Sequence, residues 1–187
     1  MANPPGLDIA LESPSVPGGK LKLSNVPIGA VSLAAMGTNT TDVIQLWMTD
    51  IWVPVNRFIT KVGVLQGGTA TTDNIAVTVY NSNGKLLASS AVAGTVLNGS
   101  ANTFIELTLT LDGVGAVITG LQLFGPSQYY IGVQGNGTAA GAIQTVPAPY
   151  LDICANSVVA GVFGTFPASI TVPTTFNAGK APIVYIY

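Results

Sequence analysis

From Val43 onward, apolar and polar residues alternate with a period of two, the pattern of strands that bury one face. The segment "DVIQLWMTDIWV" predicts one strand with Trp47 and Trp52 on opposite faces. "NRFITKVGVL" sets Phe58, Thr60, Val62 and Val64 against Ile59, Lys61, Gly63 and Leu65, with the Lys61 side the wetter one. "NIAVTVYNSNGKLLASSAV" reads as a hairpin. Ile75, Val77 and Val79 share one face, and Ala76, Thr78 and Tyr80 share the other. Asn81–Gly84 supplies the turn, because Asn and Gly reach positive φ at little cost. "NTFIELTLTL" directs Ile105, Leu107, Leu109 and Leu111 inward and Glu106, Thr108 and Thr110 outward. "SQYYIGVQ" places Tyr129, Ile131 and Val133 opposite Tyr130, Gly132 and Gln134. "NSVVAGVFG" predicts a strand with a glycine bend, and "APIVYIY" a closing strand tied into a sheet.

No segment carries a helical stripe; "GAVSLAAM" could form a turn or two. Short strands separated by Gly, Asn and Pro turns predict an all-β fold. The expected architecture is an antiparallel β-sandwich of jelly-roll type over residues 45–187, preceded by an extended N-terminal arm over 1–44. That arm is proline-rich and has no aromatic residue before Met36. Within it Leu7, Ile9 and Leu11 alternate with Asp8, Ala10 and Glu12, as in a short strand able to pair with the edge of another subunit. Together with Val16 they form a candidate assembly arm.

Composition changes the picture most through charge. Only 7% of the 187 residues are charged, against about 25% in ordinary soluble domains. The surface must be covered by Thr, Ser, Asn, Gln and Gly, which suits a chain that works against other subunits. Net charge is −2, and Lys20 and Lys22 are the one local basic pair, so nothing tracks a phosphate backbone and no nucleic-acid partner is expected. No apolar run approaches the ~18 residues that span a bilayer, so no membrane partner is expected either. Residues 20–37 combine lysines with an apolar run, but Pro27 and Gly29 interrupt it, and synthesis in the cytoplasm is the reading. Cys154 stands alone, which rules out an intrachain disulfide and predicts a buried inert thiol.

Reactive groups are few in this chain. There is no histidine, hence no Ser-His or Cys-His arrangement, and no Cys/His cluster for zinc. A carboxylate pair would have to come from Asp8, Glu12, Asp42, Asp50, Asp73, Glu106, Asp112 and Asp152. Glu106, mid-strand, is the best candidate general acid; a solvated residue on a wet sheet face is the favoured reading. Asp112 and Asp73 sit in turn and loop contexts. The glycine-rich loops lack the Lys-Ser/Thr ending of a phosphate cradle, no acidic calcium loop is present, and the Asn39, Asn98 and Asn136 sequons follow from an Asn/Thr-rich composition. No cofactor is expected. Sugar binding remains open: Trp47, Trp52 and Tyr130 form a candidate glycan platform, with Tyr129 and Tyr150 also available, although aromatics in strands more often fill cores. Adjacent Tyr129 and Tyr130 point to opposite faces, so one platform can use one of them.

The segments "IWVPVNRFITKVGVLQGGTATTDNIAVTVYNSNGKLLASSAVAGT", "QYYIGVQGNGT" and "GVFGTFPASITVPTTFNAGKAPIVYIY" resemble small structural proteins of tailed bacteriophages, over about residues 51–187. The resemblance implies a β-sandwich virion component: a head decoration protein, a head fibre or a tail-associated module. It carries over no catalytic residues. It implies the major capsid protein as a partner and a homo-oligomer such as a trimer. The alternative is a tail-fibre module that binds a host receptor or surface glycan.

Overall fold

The alternation becomes strands in nearly every segment where it was read. The computed structural model describes residues 22–26, 36–40, 44–68, 71–137, 142–147, 155–177 and 179–187. Within these the chain is all-β and antiparallel. The strands are β1 (Leu23–Ser24), β2 (Gly37–Thr40), β3 (Gln45–Val53), β4 (Arg57–Ile59), β5 (Lys61–Leu65), β6 (Asn74–Tyr80) and β7 (Leu86–Ser90). There follow β8 (Thr95–Val96), β9 (Phe104–Asp112), β10 (Leu121–Leu123), β11 (Ser127–Gly135), β12 (Ala142–Thr145), β13 (Asn156–Ala160) and β14 (Val184–Ile186).

One sheet runs in the order β1-β14-β5-β9-β7-β6-β11-β3-β13, with β8 added beside β6; β10–β4 and β12–β2 form two small ladders. Strand β9 joins the two halves. Phe104–Thr108 pair with β5, and Leu109–Asp112 pair with β7. Leu107 and Leu109 keep the same face inward through this change of partner. The sheet thereby closes over a core that takes Val62, Val64, Val184 and Ile186 from one half. The other half contributes Trp47, Ile51, Val53, Ile75, Val77, Val79, Ile131 and Val133.

Buried Asn25 fastens the halves together. Its Nδ2 donates to Thr49 Oγ1 at 2.8 Å and to the Pro182 carbonyl at 2.8 Å, and its Oδ1 accepts from the Val184 N–H at 2.9 Å. Residues 22–26 thus belong to the body: Leu23 is in the core, and β1 pairs with β14. β2 likewise pairs with β12. The boundary expected at residue 44 therefore does not separate all of 1–44 from the body. Leu7, Ile9, Leu11 and Val16, with the segment "GAVSLAA", lie outside the described residues.

The outer face of β3, β6 and β11 carries Leu46, Met48, Tyr80 and Tyr130. They are covered by Phe166, Ile170 and Val172 from the segment after β13. That segment is tied down by main-chain bonds: Leu86 N–H donates to the Ala168 carbonyl, and Ile170 N–H to the Gly84 carbonyl. Gly84 has φ +76°, and a Cβ there would lie 2.2 Å from the Ile170 oxygen, so the predicted turn needs glycine on two counts.

Replacing Asn25 by Ala removes three side-chain hydrogen bonds and orphans the Val184 N–H, so Asn25→Ala is expected to lower stability by about 2–3 kcal/mol, read as a lower urea midpoint with an unchanged slope.

Candidate functional site

Among the described residues the densest group of charge sits on the outer face of the β14-β5-β9 half. Register brings it together. Gly63 pairs with both Tyr185 and Glu106, and Lys61 with Thr108. The lack of a side chain at Gly63 leaves room for the Tyr185 ring, whose nearest atom would lie 2.3 Å from a Cβ there. Phe104 stacks at a tilt on Tyr185 at 4.6 Å, and Tyr185 on Tyr187 at 5.7 Å.

Glu106 is the centre. Tyr185 Oη donates to its Oε1 at 2.6 Å, Tyr187 Oη to Oε2 at 2.5 Å, and Lys61 Nζ to Oε2 at 3.1 Å. Lys22 Nζ approaches Oε1 at 3.6 Å, donates to Tyr185 Oη at 3.0 Å, and lies 4.1 Å from the centre of the Tyr185 ring. Burial pushes the carboxyl up. The two phenols and the Lys61 ammonium outweigh it and hold the group down at about 2. Burial and the Glu106 carboxylate push both tyrosines up. Hydrogen bonds to Tyr187 and Glu106 raise Lys61.

Glu106 lies on an exposed sheet face, as the favoured sequence reading has it, and side-chain donors occupy both of its oxygens there. It does not suit a general acid, because a carboxyl held at about 2 has no proton to give near neutral pH. The cluster binds β1, β5, β9 and β14 to one another. Part of it was legible, because "YIY" puts two tyrosines on one face. The register that lays them over Gly63 and Glu106 was not.

The other acids are placed apart from it. Asp50 lies on β3, where Gln128 Nε2 and the Ala155 N–H donate to it. Burial raises its pKa against those bonds. Asp112 Oδ1 accepts from the Val114 and Ala116 N–H groups and shapes a turn, as its Asp-Gly context predicts. Asp73 is buried. Asp8, Glu12, Asp42 and Asp152 lie outside the described residues, as do Tyr150 and Cys154. Among the described residues no three His, Cys, Asp or Glu side chains gather as metal ligands.

The predicted platform aromatics are not gathered on one surface. Trp47 is 2% exposed and faces the core, with Lys180 Nζ 4.5 Å from the centre of its ring. Tyr130 is buried on the opposite side of the sheet under the segment after β13. Trp52 alone is open, at 53%. The two tryptophans do take opposite faces of one strand, as the alternation requires, and β3 is covered on both faces along most of its length.

The exposed large apolar side chains follow a different rule. Val53 pairs with Ser127, Tyr80 with Tyr130, Ala88 with Asp112 and Ile186 with Val62, so these strand termini share one end of the body. Trp52, Val55, Phe58, Val114, Val117 and Phe124 are all exposed there. Phe58 pairs with Gln122, two residues from Phe124, and both rings are exposed near this ladder. Val55 lies against the adjoining Gly125. At the other end Ile44, Val92, Val96 and Val162 are exposed.

No protein-family profile matches the chain, and neither the curated proteins nor the solved structures searched include a match.

The Glu106 cluster predicts a pH dependence of stability. The carboxyl sits at about 2 when folded, against 4.5 ordinarily. Its contribution is complete above the ordinary value and disappears as pH falls from there toward 2. The side chain is 33% exposed, so solvent screening limits the contribution to about 1 kcal/mol. Glu106→Gln is expected to lower the urea-unfolding free energy by that amount at pH 7 and to match the parent protein near pH 2.

Proposed function

We propose that this chain is a non-enzymatic structural protein of a virion, specifically a capsid (head) decoration or minor capsid protein whose body is a jelly-roll β-sandwich. The observation that carries this reading is the sorting of the exposed surface. Large apolar side chains gather at the two ends, and the chain as a whole carries few ions. An ion-poor surface packs against neighbours at small desolvation cost, because few charges must leave water. Apolar ends supply contact energy at about 25 cal/mol per Å² of area removed from water. Repetition by particle symmetry then converts weak contacts into stable attachment. The resemblance to phage structural proteins points the same way. Under this reading the protein is made in the host cytoplasm and resides on the particle, with the major capsid protein as its main partner.

A receptor- or glycan-binding module on a tail fibre is the second reading, favoured by one observation, the exposed indole of Trp52. It requires millimolar or tighter glycan binding that Trp52→Ala abolishes.

The test of the first reading is occupancy. Phe58→Glu with Phe124→Glu places two charges on the apolar end without touching the core. Copies per purified particle, counted by quantitative mass spectrometry, are expected to fall at least tenfold while the thermal midpoint of the isolated protein moves by no more than a few degrees. Undiminished occupancy of the folded variant would refute an attachment role for that end, and absence of the parent protein from particles would refute the virion assignment.

A further inference from the structure

We propose that β13 is a self-association edge, through which two copies of this chain join their sheets by antiparallel pairing about a two-fold axis centred on Val159. The inference extends the assembly reading to a contact between copies. It starts from the direction of main-chain hydrogen bonds. Among the described residues β13 is the last strand of the sheet and pairs only with β3. Asp50 N–H donates to the Ala155 carbonyl and Gly161 N–H to the Ile44 carbonyl, so residues 155, 157, 159 and 161 turn their main-chain groups toward β3. Asn156, Val158 and Ala160 must then turn theirs outward.

Asn156 is already served. Its N–H donates to the Thr175 carbonyl, and its side chain exchanges bonds with Asn177. Val158 and Ala160 make no outward main-chain bond to any of the described residues. They leave two donors and two acceptors along an edge that contains no charge, no proline and no bulge. The opposite edge is handled differently. β1 is two residues long and begins beside Lys22, a common way of blunting a free edge.

The spacing of the free groups selects the occupant. In antiparallel pairing about Val159, Val158 of each copy lies opposite Ala160 of the other. Each such pair exchanges two bonds, so four main-chain bonds form and every free group is used. Thr175 caps the edge at Asn156 and stops the ladder from extending further. The unpartnered set is thus complementary to itself, as an isologous contact requires. Ile44 and Val162, both exposed beside this edge, add apolar surface to it. A contact of this size is weak in solution and gains from particle symmetry.

The test uses the full chain. Sedimentation up to millimolar concentration is expected to show a monomer–dimer equilibrium. Ala160→Pro removes an outward N–H from an exposed residue, and with it two of the four bonds, while leaving the bonds to β3 intact. It is expected to weaken dimerisation at least tenfold with the circular dichroism spectrum unchanged. Should Ala160→Pro fail to fold, hydrogen exchange of the parent protein decides: the Val158 and Ala160 amides are expected to gain protection as concentration rises. A monomer at every concentration, an oligomer that folded Ala160→Pro leaves intact, or edge amides whose exchange ignores concentration overturns the proposal. Loss of the dimer in Ile9→Pro overturns it too, because the N-terminal segment would then be the occupant. A protein that occupies particles but stays monomeric in solution refutes this edge contact and leaves the virion reading standing.

Discussion

Strand β9 decides the architecture. A strand has two edges, and β9 gives its first half to β5 on one edge and its second half to β7 on the other. Leu107 and Leu109 hold the same inward face through that exchange, so the sheet passes from one side of the core to the other without breaking its hydrogen-bond ladder. Everything placed by register depends on this. The β5 half carries Lys61 and Gly63, which with β14 frame Glu106. The β7 half leads through β6 and β11 to β3 and the free edge of β13. Asn25 then bonds from β1 to Thr49 across the core and keeps the first strand of the path opposite the second-to-last.

What was legible in the sequence was local. Alternation in "NIAVTVY", "NTFIELTLTL" and "QYYIGVQ" gave strands and the residues that share each face, and for "NTFIELTLTL" the core face as well, because a one-residue slip would turn every side chain to the opposite face. "NSNG" gave its turn because few residues reach positive φ cheaply. Pairing was not legible, since it joins residues far apart in the chain. Tyr185 and Glu106 are 79 positions apart, and nothing in "YIY" names "IEL" as its neighbour. Trp47 and Tyr130 show the same limit in another form. Their alternation was read, but alternation tells which residues share a face and not which faces are covered. The outer face of β3 and β11 is covered by "FPASITV", whose Phe166, Ala168, Ile170 and Val172 alternate with Pro167, Ser169 and Thr171, and nothing in that alternation names Tyr130 as the residue it buries.

Scarcity of charge explains why the few ions are used as they are. An ionised carboxylate on a sheet face is stable only if its oxygens are satisfied. Glu106 meets that condition with two phenols and a lysine, and Lys22 brings the first described strand into the same group. A chain rich in surface ions could have used ordinary charge to protect its edges and ends from neighbours. This one places a lysine beside β1 and leaves β13 bare.

Under the proposed assembly that asymmetry has a physical reason. Free main-chain groups on an uncharged edge recruit any extended segment, which is why soluble proteins blunt such edges with lysine, proline or a bulge. Exposed valines at 88% and 85% on the turn after β9 invite contact in the same way. Each feature alone is tolerable in a monomer, since single exposed apolar residues are common. Their concentration at the two ends and one edge places the exposed apolar side chains and the free main-chain groups at the periphery of the body, where a neighbour in the proposed assembly would meet them. Among the described residues the fold buries one large apolar core and leaves its unpaired groups at the periphery, and the proposed assembly gives both facts a physical reason.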